Sequence, residues 1–189
     1  AVEFAGTLHR LSGLDEARRL PNASEACLSA AETLDQVARR LTRLDKAAAN
    51  HPALAAFLTR DFRPAFEARR DATWKQLATW AEDPADQLDV ARLTLSPSDF
   101  GFHNSLRVPS GEVVFFDFEY FGWDDPVKLT SDFILHPGMS LTEGQRRRFV
   151  EGAKTVFSGD KTFASRLALM YAFFGYRWCM IILNEFLQP

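Results

Sequence analysis

The chain has 189 residues, of which 47% are hydrophobic and 13% aromatic, and this is enough to build the core of one compact domain. The formal net charge is −3 at pH 7 and the arginines are scattered along amphipathic patterns, so neither nucleic acid nor a membrane is expected as a partner. The first residues carry no basic segment followed by a long apolar run, which argues against a secretory signal and predicts a cytoplasmic protein.

Helices are predicted for most of the first half of the chain. The earliest runs from Val2 to Leu11, with apolar residues at helical spacing. A longer helix is expected to begin at a cap formed by Asn22 or Ser24 and to end before His51, which precedes a proline. The buried stripe of this long helix is predicted to consist of Leu34, Val37, Leu41 and Leu44.

The next predicted helix follows the short segment ALAAFL and begins near Pro64, because proline is well tolerated in the first turn of a helix. The dipeptide Asp83-Pro84 is expected to end it. The residues predicted for its buried face are Trp74, Leu77, Ala78 and Ala81.

The pattern changes after residue 90. The segments ARLTL (residues 91–95) and GEVVFFDF (residues 111–118) have the composition of strands and are predicted to pair as one β-hairpin, with the turn at residues 109–111. The following segment, FEYFGWDDP, is too polar and irregular to predict a strand.

Helices are predicted again in the last third. Thr142 and Gln145 form a capping-box pair, and Phe149, Ala153 and Val156 make the buried stripe that follows. The final helix, within Leu167 to Leu187, is apolar nearly all round. Its charged and polar residues, Arg177, Asn184 and Glu185, argue for a buried core helix rather than a membrane span.

These elements predict a mainly α protein of the α+β type. Helices are expected over residues 1–90, a small inserted hairpin over residues 91–122, and helices again over residues 123–189. No internal repeat or linker divides the chain, so residues 1–189 are expected to form a single domain.

Three oxygen-bearing side chains flank the predicted hairpin. Asp99 and Asn104 lie in the loop after the first strand, and Asp117 ends the apolar run of the second. Pairing of the strands brings both loops to one edge, where the three side chains can converge. Carboxylate and amide oxygens are the ligands that Mg²⁺ prefers, and a carboxylate not bound to metal can deprotonate a hydroxyl, so the pattern indicates phosphoryl transfer.

The order of these residues resembles a known family. D-x-x-x-x-N, a hairpin and then D-F-E resemble the catalytic and metal-binding loops of protein-kinase-like enzymes. The segment FDFEYFGWDDP followed by SDF is most similar to the aminoglycoside phosphotransferase and choline kinase family. The segment AGTLHRL resembles the helix that opens the C-terminal lobe in that family. The resemblance implies a helical C-terminal lobe of a protein-kinase-like fold, whose full-length protein transfers phosphate from ATP to a hydroxyl of a small molecule.

The resemblance also implies a role for each matched residue. Asp99 would be the catalytic base, Asn104 a magnesium ligand, and Asp117 the principal magnesium ligand on the side of the nucleotide phosphates. Asp132 would be the structural aspartate that holds the catalytic loop by hydrogen bonds. Mg²⁺ and ATP are therefore the expected cofactors.

The chain departs from the family pattern in several places. Pro97 stands where the family usually has a histidine, and Gly101 and His103 replace the usual residues before the asparagine, so the loop conformation is expected to differ and His103 to pack or bond locally. The interval from Asp117 to Asp132 is also longer than is common. No segment resembles the N-terminal lobe, with its glycine-rich loop and its lysine, so the chain is expected to be a C-terminal lobe with little or no catalysis in isolation.

The residues around D-F-E bear on the acceptor. Glu119, Asp124 and Asp125 would favour a cationic acceptor by charge complementarity, with Glu119 next to the metal or the substrate. Trp123 would either border the acceptor pocket or pack in the core.

Two further interpretations remain open. The chain can be a non-catalytic kinase-like domain that binds or scaffolds, which Pro97 and the missing lobe favour. It can also be an unrelated helical bundle with an accidental motif. The last interpretation predicts that Asp99, Asn104 and Asp117 do not converge.

Overall fold

A computed structural model describes residues 1–80 and 82–187. The protein is mainly helical, with 65% helix and 7% strand in small antiparallel sheets, which confirms the predicted fold class at that level. The helices are α1 (Val2–Leu11), α2 (Ala30–Ala48), α3 (Pro52–Phe57), α4 (Arg63–Thr79), α5 (Pro126–Leu135), α6 (Glu143–Val156) and α7 (Phe163–Ile182). The strands are β1 (Thr94–Ser96), β2 (Ser105–Arg107), β3 (Val113–Phe115) and β4 (Gly122–Asp124).

The chain divides into two compact units. The first unit comprises residues 1–28 and 88–168, and the second comprises residues 29–87 together with those from residue 169 onward. All the candidate site residues belong to the first unit.

In the second unit, α2 carries the predicted buried stripe of Leu34, Val37, Leu41 and Leu44. Its cap, however, is Ser29, whose hydroxyl accepts a hydrogen bond from the Glu32 amide at 3.1 Å. The prediction of a cap at Asn22 or Ser24 is therefore wrong. The reason is a long-range interaction within the first unit, where residues 21–24 hydrogen-bond to the segment that contains β4 and cannot start a helix.

The helix that follows begins as predicted, with Pro64 in its first turn and a single π-helical turn, Leu58–Phe62, before it. Its buried face differs from the prediction. Leu77 is buried and Trp74 half-buried, but Ala78 is exposed. The other predicted member, Ala81, lies outside the described residues.

Helix α7 and the residues after it, Phe163–Leu187, are long and apolar enough to cross a membrane by length and composition, a test that a core helix also passes. Arg177 in this helix is buried, and its Nε donates a hydrogen bond to Oε1 of the buried Gln36 at 2.9 Å. An arginine in a protein core must be hydrogen-bonded, and Arg177 meets this condition. This observation favours the prediction of a core helix.

In the first unit the strand pairing differs from the prediction. β1 pairs with β4, with Leu95 opposite Trp123, and β2 pairs with β3, with Leu106 opposite Val114. The predicted pairing of residues 91–95 with residues 111–118 is therefore wrong, as is the exclusion of a strand from FEYFGWDDP. The turn at residues 109–111 is confirmed, with the Val108 amide bonded to the Glu112 carbonyl oxygen at 2.9 Å.

Strand β4 was not predicted because its terminal residues, Gly122 and Asp124, are not typical of strands. Each is buried by a tertiary contact. Gly122 lies so close to residues 21–23 that a Cβ there would be 2.4 Å from the Pro21 carbonyl oxygen. Asp124 is fully buried and ion-paired with Lys128. From the sequence alone, an acidic residue is expected to be exposed, because its buried cationic partner is not known.

Helices α5 and α6 pack on each other, and α5 also packs on β1 and α6 on α1. The predicted capping box of α6 is present, since Thr142 and Gln145 bond each other's backbone amides. Phe149 and Ala153 are buried as predicted, and Val156 is half-buried.

A cluster of phenylalanine rings joins these elements. Phe100 lies between Phe115 of β3 and Phe133 of α5, with ring centroids 5.0 Å and 4.9 Å away. Phe133 stacks on Phe149 of α6 at 3.8 Å, and Phe4 of α1 lies 4.6 Å from Phe115. Burial of such a ring contributes about 1.5–3 kcal/mol, and aromatic pairing adds roughly 0.5–1.5 kcal/mol.

The approach of Gly122 to residues 21–23 predicts the effect of a single methyl group. We expect Gly122→Ala to lower the free energy of unfolding by about 2–4 kcal/mol, because backbone must move to admit the Cβ. Gly144→Ala is the control, since a Cβ there meets nothing within 4 Å. Denaturant unfolding of the two variants checks this, and equal stabilities would contradict the close packing.

Candidate functional site

Asp99 is held by a tight turn. Its amide bonds the carbonyl oxygen of Pro97 at 2.9 Å, and the intervening Ser98 has a φ of 66°, the pattern of a strained γ-turn. The Ser98 hydroxyl donates to the Ser24 carbonyl oxygen at 2.9 Å, which fixes the turn to the rest of the first unit. The next residue, Phe100, is buried in the aromatic cluster, so the Asp99 carboxylate is left facing outward, with 42% of its side chain exposed.

Asn104 lies directly beside Asp99. Its Nδ2 donates hydrogen bonds of 3.1 Å to both the backbone oxygen and Oδ2 of Asp99. Since the amide nitrogen faces Asp99, the amide oxygen is directed away from it and is the atom that can bind a cation. The spacing D-x-x-x-x-N thus corresponds to a real contact.

The β2–β3 hairpin brings the backbone of Asp117 next to that of Asn104. The Phe116 amide bonds the Asn104 carbonyl oxygen at 3.1 Å, which continues the ladder by one residue beyond the Ser105–Phe115 pair. Asp117 follows at once, with an exposed side chain and a φ of 66°. Left-handed backbone is strained for a residue other than glycine, typically by about 1–3 kcal/mol, and such positions cluster at functional sites.

Tyr120 lies on an acidic edge next to Glu119. The pKa of Tyr120 is raised, mainly by a hydrogen bond with Glu119 and the charge of Glu119, then by desolvation and, least, by the charges of Asp117 and Asp99. Glu119 and Tyr120 are both exposed, so this acidic edge faces solvent.

Two histidines that surround Asp99 were not predicted as a pair. His103 Nε2 lies 3.0 Å from Asp99 Oδ1, so the local role predicted for His103 includes a bond to the proposed catalytic carboxylate. His136, just after α5, has its Nε2 3.7 Å from the same oxygen, and the two imidazoles stack with centroids 4.0 Å apart and planes at 11°. No sequence signal links residues 103 and 136, because only the packing of α5 brings them together.

The proton of His136 is placed by its neighbours. The Gly138 amide donates to Nδ1 at 3.0 Å, so the neutral ring carries its proton on Nε2, which faces Asp99. Burial lowers the pKa of His136, and the charge of His103 lowers it further against the opposite effects of Asp99 and Asp132. His136 is therefore neutral at pH 7.

The other predicted acidic residues are buried. Asp132, on α5, is 4% exposed and lies 3.3 Å from Lys128 Nζ, while its backbone oxygen accepts from the His136 amide at 2.9 Å. Its position is compatible with a structural role, and the bond to the catalytic loop stays a prediction.

Asp124 and Asp125 do not supply free negative charge to an acceptor, so that prediction is wrong. Asp124 accepts from Lys128 Nζ at 2.7 Å and from the Cys27 amide at 3.1 Å. Asp125 caps α5 through the Val127 amide and binds Arg166 Nη1 at 2.6 Å. A buried carboxylate is tolerated only with such partners, and both groups are already neutralised.

Trp123 is 8% exposed, and its Nε1 donates a hydrogen bond to the Ala17 carbonyl oxygen at 2.9 Å. Of the two positions predicted for Trp123, this corresponds to packing in the core. It also borders a cleft of about 610 Å³ next to the end of α1. The lining of this cleft includes none of Asp99, Asn104 and Asp117.

Comparison with protein-family models, characterised proteins and solved structures returned no match.

The buried position of Lys128 predicts a large effect on stability. Lys128→Met leaves the carboxylates of Asp124 and Asp132 without their shared cation, and we expect a loss of about 3–5 kcal/mol. Lys154→Met is the matched control, because Lys154 pairs with Glu151 on an exposed face and contributes about 0–1 kcal/mol. Thermal and urea unfolding measure both variants, and a loss below 1 kcal/mol for Lys128→Met would show that the ion cluster is not structural.

Proposed function

We propose that the chain is the C-terminal lobe of an ATP-dependent phosphotransferase of the protein-kinase-like fold, which acts on a hydroxyl of a small molecule in the manner of aminoglycoside and choline kinases. The observation that carries the proposal is the contact between Asp99 and Asn104, together with the hairpin that places Asp117 one residue beyond the Asn104–Phe116 bond. The accidental-motif interpretation expects these groups to be scattered.

In this proposal Asp99 binds the acceptor hydroxyl and takes its proton. The carboxylate is suited to this because its loop is fixed by the aromatic cluster while its side chain stays partly exposed. Asn104 and His103 each hold one oxygen, so the carboxylate presents a defined lone pair to the hydroxyl. Positioned general bases contribute about 10²–10⁴-fold to a rate.

Mg²⁺ fits the remaining groups. The amide oxygen of Asn104 and the carboxylate of Asp117 are hard oxygen donors, and few protein ligands are needed because Mg²⁺ keeps several waters and binds substrate phosphates. When bound, the ion supplies neutralisation of the phosphate charge. The residues of the chain then orient the phosphates in line with the hydroxyl that Asp99 holds.

The acceptor in this proposal is a small hydroxylated molecule. With Asp124 and Asp125 neutralised inside the unit, the support for a cationic acceptor is reduced to the exposed edge of Asp117, Glu119 and Tyr120. Exposed phenylalanines lie along the same segment, at positions 116 and 118. An acceptor with one cationic group and an apolar face matches that edge better than a neutral sugar does.

One observation favours the non-catalytic alternative. Pro97 forms the turn before Asp99 at the position where the family pattern has a histidine. A domain that retained the fold to bind or scaffold would tolerate the loss of that histidine. Nucleotide binding separates the two functions, because a scaffold has no need of it.

Asp99→Asn tests the catalytic role in the full-length protein. We expect ATP-dependent phosphorylation of the acceptor to fall by about 10²–10⁴-fold, because the amide cannot accept the hydroxyl proton. The control is Asp71→Asn, which removes an exposed carboxylate of α4. Turnover is measured as ADP release with a panel of aminosugars and amino alcohols as acceptors. Unchanged turnover in Asp99→Asn would contradict the assignment of Asp99 as the catalytic base.

Asp117→Asn tests the metal site by binding rather than rate. We expect the magnesium-dependent affinity for a non-hydrolysable ATP analogue to fall by about tenfold or more, because a ligand of the ion is lost. Asp99→Asn should retain this affinity. Calorimetry with and without Mg²⁺ measures both, and magnesium-independent binding in the unaltered protein would favour the scaffold.

A further inference from the structure

We propose that Asp99, His103 and His136 form a second metal site, one that takes Zn²⁺ or a similar transition-metal ion rather than Mg²⁺. The three side chains offer one oxygen and two imidazole nitrogens, and these ligand atoms all lie within 4.8 Å of one another. Asp99 Oδ1 is 3.0 Å from His103 Nε2 and 3.7 Å from His136 Nε2.

The spacing matches the coordination shell of zinc. Zn²⁺ binds histidine nitrogen and carboxylate oxygen at about 2.0–2.2 Å, so neighbouring ligands of a tetrahedral ion lie roughly 3.3–3.6 Å apart. The two oxygen–nitrogen distances of 3.0 Å and 3.7 Å bracket that value. Three protein ligands leave the fourth position for water.

The donor set selects the ion. Imidazole suits Zn²⁺, Cu²⁺ and Ni²⁺, whereas Mg²⁺ prefers an all-oxygen shell. The side chains of His103 and His136 are 24% and 17% exposed, so an ion can reach them from solvent without unfolding. Asn104 donates a hydrogen bond to the other oxygen of Asp99 and so orients the carboxylate toward the ion.

Binding requires a small rearrangement. The imidazoles are nearly parallel, and both must tilt toward the ion to bring their Nε2 lone pairs onto it. In His136 the proton moves from Nε2 to Nδ1 without net release, and the bond from the Gly138 amide is given up. Such exchange of one hydrogen bond for a metal bond makes the site inducible rather than preformed.

The consequence concerns Asp99. An ion held by Asp99, His103 and His136 occupies the carboxylate that the proposed reaction needs as a base, so transition metal would inhibit phosphoryl transfer while Mg²⁺ supports it. This consequence rests on the proposed function. The binding itself does not, and it is testable on the isolated chain.

Metal titration of the isolated chain is the first experiment. We expect Zn²⁺ to bind with one-to-one stoichiometry, and Co²⁺ in its place to give the visible absorption band of a tetrahedral site. The variants are His103→Gln and His136→Gln, each expected to weaken binding by at least about tenfold. His51→Gln is the control, because His51 packs against Phe186 in the second unit and should leave the affinity unchanged.

Circular dichroism establishes that each variant is folded, and the imidazole ¹⁵N shifts of the unaltered chain provide a readout that needs no variant. Zn²⁺ should move the shifts of His103 and His136 and leave those of His51 in place. Equal affinity in the His103→Gln, His136→Gln double variant, or shifts confined to other histidines, would overturn the proposal.

The second experiment uses the full-length protein in excess Mg²⁺. Zn²⁺ should inhibit at the concentration at which it binds, and His136→Gln should require at least about tenfold more Zn²⁺ for half-inhibition, relative to its own activity without zinc. Metal binding without any phosphotransferase activity would uphold the site and reject the proposed function. Activity that is insensitive to bound Zn²⁺ would reject the link between them.

Discussion

The packing of Phe100 against Phe115 and Phe133 is the constraint on which the candidate site depends. Phe100 follows Asp99 directly, Phe115 precedes Asp117 by two residues, and Phe133 follows Asp132. One buried aromatic cluster therefore sets the positions of two loops and of helix α5. Because interiors are close-packed, a ring in this cluster cannot move without moving the adjacent polar residue, so the geometry of the site is a consequence of core packing.

The acidic residues predicted for the site divide into two groups by burial. Asp124, Asp125 and Asp132 are buried, and Lys128 and Arg166 neutralise them, so they stabilise the junction of β4 with α5. Asp99, Asp117 and Glu119 remain accessible to solvent. Charge that is already paired in the interior has no electrostatic attraction left for a ligand, whereas the accessible carboxylates keep theirs.

The sequence predicted what local patterns determine. Apolar spacing located α1 and the stripe of α2, and the capping box of Thr142 and Gln145 is where it was expected. Strand pairing and the α2 cap were predicted wrongly because residues 21–24 bond β4, about 100 residues away. His136 could not be linked to Asp99 from the sequence. Asp124 ends β4, so the i,i+4 rule for residues on one helix did not identify Lys128 as its partner.

The central claim is that Asp99, Asn104 and Asp117 surround one metal–phosphate site. Paramagnetic broadening by Mn²⁺-ATP, followed by NMR of the isotopically labelled protein, tests it most directly, because Mn²⁺ replaces Mg²⁺ at oxygen ligands. We expect the amide signals of Asn104 and Asp117 to broaden first, followed by those of Asp99, and excess Mg²⁺ to restore them. Broadening that begins at the cleft beside His9 and Trp123, or that spares Asp117, would contradict it.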